Sequence, residues 1–305
     1  MTDPDVIVLG AGAAGLMCAL TAGRRGRRVL VLDHAAEPGA KIVISGGGRC
    51  NFTNTGTEPR HFWSDNPHFC RSALDRYRPE DFVAMVERHG IEFREKTLGQ
   101  LFCTGSARAI VAMLLAECEA AGVVVRLGCR VTEVGRSDRF RVETDQGTFA
   151  SDSLVLATGG LSIPKLGATG FAYDLATRFG LRLTEIAPAL VPLTFEGGLL
   201  DMMRPLSGVA LDTEVAVGRH SFREATLFTH RGLSGPAILQ ISSCWRDGAI
   251  AIDLLPGRDA EEFLLERKRT RPRAELRSVL AEVMPQRLAD ALAASAPGEP
   301  TRMAD

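Results

Sequence analysis

Residues 6–33, VIVLGAGAAGLMCALTAGRRGRRVLVLD, limit the fold more than any other part of the chain. Val6–Leu9 is a β-branched run of the kind that forms a buried parallel strand, and it enters a glycine cluster. A helix is predicted from about Ala13 to Arg25, stopped at Gly26, and Arg27–Asp33 reads as a second buried strand. Strand, helix and strand within about 30 residues make a βαβ unit, the seed of a doubly wound α/β sheet. Between the first strand and the helix stand Gly10, Gly12 and Gly15, with Ala13 and Ala14 among them. A bare GxGxxG is weak evidence, because glycine-rich turns are common. Here the strand before, the helix after and the acid Asp33 at the end of the second strand all take their expected places. Gly10 allows the tight turn, Gly12 lets a pyrophosphate approach the backbone, and Gly15 lets the helix pack close to the strand. The N–H groups at the helix start face the phosphates, and Asp33 is placed to accept a hydrogen bond from a ribose hydroxyl.

The glycines do not separate FAD from NAD. The segment SGGGRCNFTN, Ser45 to Asn54, helps, because it begins twelve residues after Asp33 and leaves no room for a complete crossover helix. An interposed loop, followed later by an antiparallel ribbon, is the FAD-type variation. Consecutive glycines let the main chain lie against a flat ring and offer N–H donors without steric cost. Arg49 can pair with phosphate or with negative charge on a reduced flavin, while Asn51 and Asn54 can bond ring heteroatoms or hold the loop. No GK[ST] follows, so a Walker-type loop is excluded. Cys50 beside Arg49 invites a nucleophile reading, but a small buried thiol packing the loop is preferred.

Further along, helices are expected over Pro79–His89 and over SARAIVAMLLAECEAAG, with a hairpin in IEFREKTLGQLF and a polar loop before them. Val123–Leu127 is a strand, and RVTEVGRSDRFRVETDQGTFAS is an antiparallel ribbon. A buried strand, Leu154–Ala157, then ends in Thr158-Gly159-Gly160. From about Pro188 strand-like pieces follow (VPLTF, TEVAV, ATLFTH, AIAIDLLP). A basic helical tail runs from about Asp259 to Ala296, and the closing PGEPTRMAD reads as frayed. Two domains are expected, 1–190 and 191–305. The basic run Arg267–Arg273 lacks interleaved aromatics and is flanked by acids, so it reads as a solvated helix junction. His230 is read as structural, Lys165 and the loop to Gly170 either shape a substrate mouth or only cap the strand end, and no cluster has metal-ligand spacing. A net charge of −1 gives no bias toward nucleic acid or membrane. Seven scattered cysteines without a CxxC pair, and no signal peptide or spanning segment, point to a cytoplasmic protein.

Together PGAKIVISGGGRCNFTN, LATGGLSIPKLGATGFAYDLATRFG, PALVPLTF and LFTHRGLSGPAILQIS resemble the BaiN/RdsA-type NAD(P)/FAD-dependent oxidoreductases. These bacterial flavoproteins include enzymes described as aminoacetone oxidases and a bile-acid reductase. The resemblance implies a Rossmann-like FAD-binding domain of the glutathione-reductase type, with an inserted β-rich and helical second domain. It implies that Gly10, Gly12, Ala13, Ala14 and Gly15 contact the FAD pyrophosphate and Asp33 the adenosine ribose. Lys41, Gly47, Gly48, Arg49, Cys50 and Asn51 would line the flavin side. The Val131 backbone would meet the adenine, and Thr158, Gly159 and Gly160 would close over the cofactor. Members also return to the FAD domain through a GGV-type strand and a GE…D…GGYN stretch. Nothing in the 305 residues resembles it, so a site without its flavin cover is expected.

The resulting expectation is an FAD-dependent oxidoreductase moving hydride to or from an unidentified small organic substrate. The catalytic acid or base stays unassigned. The alternative is a truncated, catalytically silent dinucleotide-binding protein. With one fingerprint only, NAD(P)H, if it is the donor, has to dock transiently. The expected partner is a small molecule, with no nucleic acid and no membrane.

Overall fold

The computed structural model describes residues 3–296 and Met303; the rest of the closing PGEPTRMAD stretch lies outside the described residues. The chain divides into two compact units, Met1–Glu185 and Ile186–Asp305.

In the first unit β1 (Val6–Leu9), α1 (Ala13–Arg24) and β2 (Val29–Leu32) form the βαβ core. Next come α2 (Ala40–Ile44), β3 (Asn51–Asn54), α3 (Arg71–Arg76), α4 (Pro79–Arg88), β4 (Phe93–Glu95), β5 (Gln100–Cys103) and α5 (Arg108–Ala120). The chain then adds β6 (Val124–Arg126), the ribbon β7 (Val131–Arg136), β8 (Phe140–Thr144) and β9 (Gly147–Ser151), then β10 (Ser153–Leu156) and α6 (Phe171–Arg178). The main sheet is parallel, in the order β10-β1-β2-β6. A small antiparallel sheet, β3-β5-β4, follows directly on the glycine segment that ends at Cys50.

Strand periodicity explains the layering, since successive side chains point to opposite faces. Val8, Val29 and Val31 pack with Leu16, Ala19 and Leu20 of α1 and Ile110 and Leu114 of α5. Ile7, Leu9, Leu30 and Leu32 face the other way, onto Val134 and Val142 of the ribbon and Leu175 of α6. With both faces covered, β1 and β2 must read as unbroken apolar runs. Burial of each such aliphatic chain contributes roughly 1.5–3 kcal/mol. The expected buried strand at Leu154 is instead half-buried, because β10 is the sheet edge and has one neighbour only.

A polar clamp closes the helical layer. The Glu117 carboxylate on α5 contacts Arg24 of α1 and lies 2.7 Å from His89 Nε2, just past α4. The hydrogen bond to His89, with Arg24 assisting, holds its pKa below the ordinary 4.5. A carboxylate with a lowered folded pKa stabilises above its unfolded value and loses that contribution as pH falls through the folded one. Glu117→Gln is expected to cost about 1 kcal/mol near pH 7, roughly 2–4 °C in Tm. Thermal melts should show the difference from the parent shrinking as the pH falls below the ordinary 4.5.

The second unit holds an antiparallel sheet of order β11-β14-β13-β12-β15. Its strands are β11 (Leu193–Thr194), β12 (Ala210–Val217), β13 (His220–Thr229), β14 (Gly232–Ser234) and β15 (Ala251–Asp253). Helix α7 (Gly197–Met203) follows β11, and α8 (Pro236–Ser242) buries Ile238 and Ile241 against Val215 and Phe228. The tail forms α9 (Ala260–Thr270), α10 (Leu276–Leu280) and α11 (Gln286–Ser295). Asp259 caps the start of α9, its carboxylate accepting the Glu262 N–H at 3.0 Å. In the basic run, Arg267 meets Glu282 at 2.8 Å and Arg271 contacts the same carboxylate. Among the described residues no helix is long and apolar enough to cross a membrane.

Candidate functional site

The β1–α1 turn shows three glycines under three different constraints. Gly10 has φ +110° and sits against the Ala157 carbonyl at the end of β10, where a Cβ would overlap. A Cβ on Gly15 would overlap the Gly10 carbonyl oxygen, so this residue sets the distance between helix and strand. Gly12 differs: a Cβ there would meet nothing within 4 Å. It is the N-cap of α1, with no side-chain cap and no acid in the first turn. Ala13 and Ala14 are exposed just inside. Helix N–H groups left without a side-chain acceptor, facing open space, suit an anion at that end. The residues therefore fit a dinucleotide pyrophosphate.

Asp33 follows β2 and is bound into the same turn. Its carboxylate accepts the Ala11 N–H at 2.6 Å and the Ala35 N–H at 2.8 Å. The carboxylate expected to hold a ribose thus also fixes the glycine turn, using one lone pair on each oxygen. Asp33→Ala is expected to destabilise the nucleotide-free chain by about 2–3 kcal/mol, as lost charged hydrogen bonds do. Chemical denaturation without added cofactor measures this; unchanged stability would leave Asp33 with no structural task.

Beside this carboxylate lies a cleft of about 310 Å³ lined by Gly10, Asp33, His34, Val131, Thr158 and Phe171, among others. That is the small end of the range for ligand pockets, about 300–1,000 Å³, and it suits one nucleoside rather than a whole dinucleotide. The structure so brings Gly10, Asp33, Val131 and Thr158 together. Gly47, Gly48, Arg49, Cys50 and Asn51 do not line this cleft. They follow α2, whose Lys41 Nζ donates to the Gly160 carbonyl at 3.3 Å and so spans to the Thr158–Gly160 loop. Gly39, at φ +68°, donates its N–H to the Ala11 carbonyl at 3.0 Å and anchors α2 to the turn.

In the glycine segment Gly46, Gly47, Gly48 and Cys50 all have positive φ. The backbone is thus turned in a way that three glycines permit without strain. Cys50 is 5% exposed and packs in the core with Cys103 and Ala107. Burial pushes its thiol up, opposed by Ser45, which is the behaviour of a packing thiol. Asn54 holds the loop, accepting from Gly56 N–H at 2.7 Å and donating to Leu98 O at 3.0 Å. Lys165 and His230 are both exposed. Just beyond His230, Gly232 and Ser234 belong to β14, and α8 starts after Gly235. Among the described residues no three His, Cys, Asp or Glu side chains stand close enough to hold a metal ion.

Sequence reasoning missed His34, Gly167 and Phe171. His34 Nδ1 lies 3.5 Å from Asp33, and its ring occupies the space a Gly167 side chain would need. The only sequence clue was the position of His34 next to the acid.

The family model described as the HI0933-like protein Rossmann domain matches residues 4–288. The chain is 48% identical over 291 residues to a ribosomal RNA dihydrouridine synthase of Escherichia coli (strain K12), covering 94% of this chain and 73% of that protein. A protein of the same name from Haemophilus influenzae is 42% identical, over 93% of this chain and 72% of its own length. A 3-dehydro-bile acid delta(4,6)-reductase of Clostridium scindens is 28% identical over 84% of this chain and 65% of that protein. The glycine turn, the Asp33 carboxylate and the parallel sheet with its β-ribbon are those of a Rossmann-type FAD-binding fold, and the chain belongs to the HI0933-like protein family.

Proposed function

We propose that this chain, carrying FAD, reduces the C5=C6 double bond of uridine in ribosomal RNA. The observation that carries the reading is 48% identity across 94% of the chain to a protein named for dihydrouridine synthesis in ribosomal RNA. The bile-acid relative supports the reaction class, since its name too describes saturation of a carbon–carbon double bond. Reduced FAD supplies a hydride from N5; with one proton this adds the two electrons that convert uridine to dihydrouridine. The α1 N-terminus and Gly12 bind the pyrophosphate, and Asp33 with the Val131 backbone holds the adenosine half. Lys41 and the Gly47–Asn51 loop orient the ring. With one dinucleotide fingerprint, NAD(P)H docks transiently to deliver electrons. Seven free cysteines suit work in a reducing cytoplasm.

A small organic substrate is the competing reading, so the test must separate the two. The FAD-loaded chain is incubated with NAD(P)H and unmodified transcribed ribosomal RNA, and nucleosides are then measured by mass spectrometry. FAD-dependent dihydrouridine is the expected product. Flavin that is reduced by NAD(P)H but leaves uridine intact returns the substrate to small molecules. A chain that retains no FAD is the silent dinucleotide-binding protein.

A further inference from the structure

Five large aromatic side chains are exposed among the described residues, and four of them, Phe62, Trp63, Phe69 and Tyr77, fall within residues 62–77. Phe69 is 79% exposed, more than any other large apolar side chain described. An exposed Phe costs contact with water and gains little from the fold, so Phe62 and above all Phe69 call for a partner. Arg60, Arg71 and Arg76 are interleaved with these rings, with Asp65 and Asp75 the acids of the same stretch. Arg60 pairs with Glu58 at 3.0 Å. Arg71 and Arg76 are exposed and have no ion pair among the described residues.

Local structure brings the two ends of this segment together. The turn at Pro59–His61 is closed by the Glu58 N–H donating to His61 Nδ1 at 3.1 Å. The Cys70 thiol reaches the Pro59 carbonyl at 3.8 Å, which brings the start of α3 back beside that turn. The backbone at Pro59–Arg60 is thereby drawn toward that at Phe69–Arg71. The segment leaves β3 directly: Thr57 N–H donates to Asn54 O at 3.2 Å, within the loop that Asn54 holds. It therefore springs from the flavin-side loop, in the same unit.

Flat rings alternating with cations match single-stranded nucleic acid, whose bases stack on aromatic faces while its phosphates meet arginine. The basic run at Arg267–Arg273 matches it less well, since Glu282 engages two of its cations. We propose that residues 60–76 form a stacking platform for single-stranded RNA and hold the nucleotides flanking the base to be reduced. This rests on the RNA reading given above.

The test is fluorescence anisotropy of the FAD-loaded full chain with a labelled 12-nucleotide oligouridylate, and with an RNA duplex of equal length. Phe69→Ala and Trp63→Ala are each expected to weaken single-strand binding about tenfold, with Phe69→Tyr restoring it and duplex binding weaker throughout. Arg71→Gln should flatten the salt dependence by about 0.7 in log–log slope. Phe69 is the primary site, because its exposure makes Phe69→Ala harmless to the fold; melting curves check this. A parent chain that binds the oligouridylate, with both alanine variants within twofold of it, overturns the platform and leaves the RNA reading standing. A parent that neither binds it nor forms dihydrouridine ends both. If Phe69→Ala instead shifts a dimer to monomer in sedimentation with RNA affinity unchanged, the face is a protein interface and the platform is wrong.

Discussion

A Gly12→Val chain is expected to fold, to melt where the cofactor-free parent melts, and to retain no FAD. The space beyond Gly12 is empty of protein to 4 Å, so the valine meets no backbone or core atom. Its φ of −85° is one that any residue adopts, and a cap position costs a β-branched residue little more than the modest capping preference for glycine. The isopropyl group would instead stand where the pyrophosphate must approach the α1 N-terminus. Cofactor at about 100 Kd stabilises a folded chain by about 2.7 kcal/mol, some 5–10 °C in Tm for a unit of this size. The parent should show that rise with added FAD and the variant none, and the variant should purify colourless. A yellow Gly12→Val protein would remove the β1–α1 turn from the binding site.

Gly15→Val is expected to fail in the opposite way, by losing the first unit altogether, with FAD present or absent. A Cβ on Gly15 overlaps the Gly10 carbonyl, and neither partner is free to yield. Gly10 is pinned by φ +110° and by the Ala157 carbonyl on its other side. Helix α1 is held by Leu16, Ala19 and Leu20 in the core. Relief requires lifting the helix off the sheet, which uncovers that layer. Losses above about 4–5 kcal/mol are exceptional for one substitution and rival the whole stability of many domains, about 5–15 kcal/mol. The readout is loss of near-ultraviolet circular dichroism and of a cooperative melt. A soluble, cooperatively melting Gly15→Val chain would show that the helix can move away at little cost.

These two residues look alike in the sequence, and that marks how far reading it reaches. The strand–glycine–helix–strand unit was legible because each part is local: apolar runs, a glycine turn and a terminal acid lie within one short window. The hairpin β4–β5 and the ribbon β7–β9 were legible for the same reason. What depends on distant partners was not. The half-burial of β10 follows from its place at a sheet edge, which no local pattern encodes. His34 becomes part of the cleft because Gly167 is folded onto it. Helices α2 and α3, of five and six residues, are too short for a 3.6-residue period to register, and the stretch around α3 was read as a polar loop although it exposes four rings. For the site itself, glycine spacing announced a dinucleotide turn but could not separate the glycine that faces a ligand from the two that face protein. Glycine spacing and net charge named no substrate, and the RNA reading rests on relatives.

The ribbon carries one more consequence. Strand β7 begins at Val131 in the wall of the cleft and, three residues on, places Val134 in the apolar layer beneath β1 and β2. Whatever fills the cleft braces the strand that seals half the core. Occupancy and ribbon order therefore share one free energy. A nucleotide bound there would be a structural member of the first unit as much as a reagent, and its loss would loosen that unit from the ribbon side.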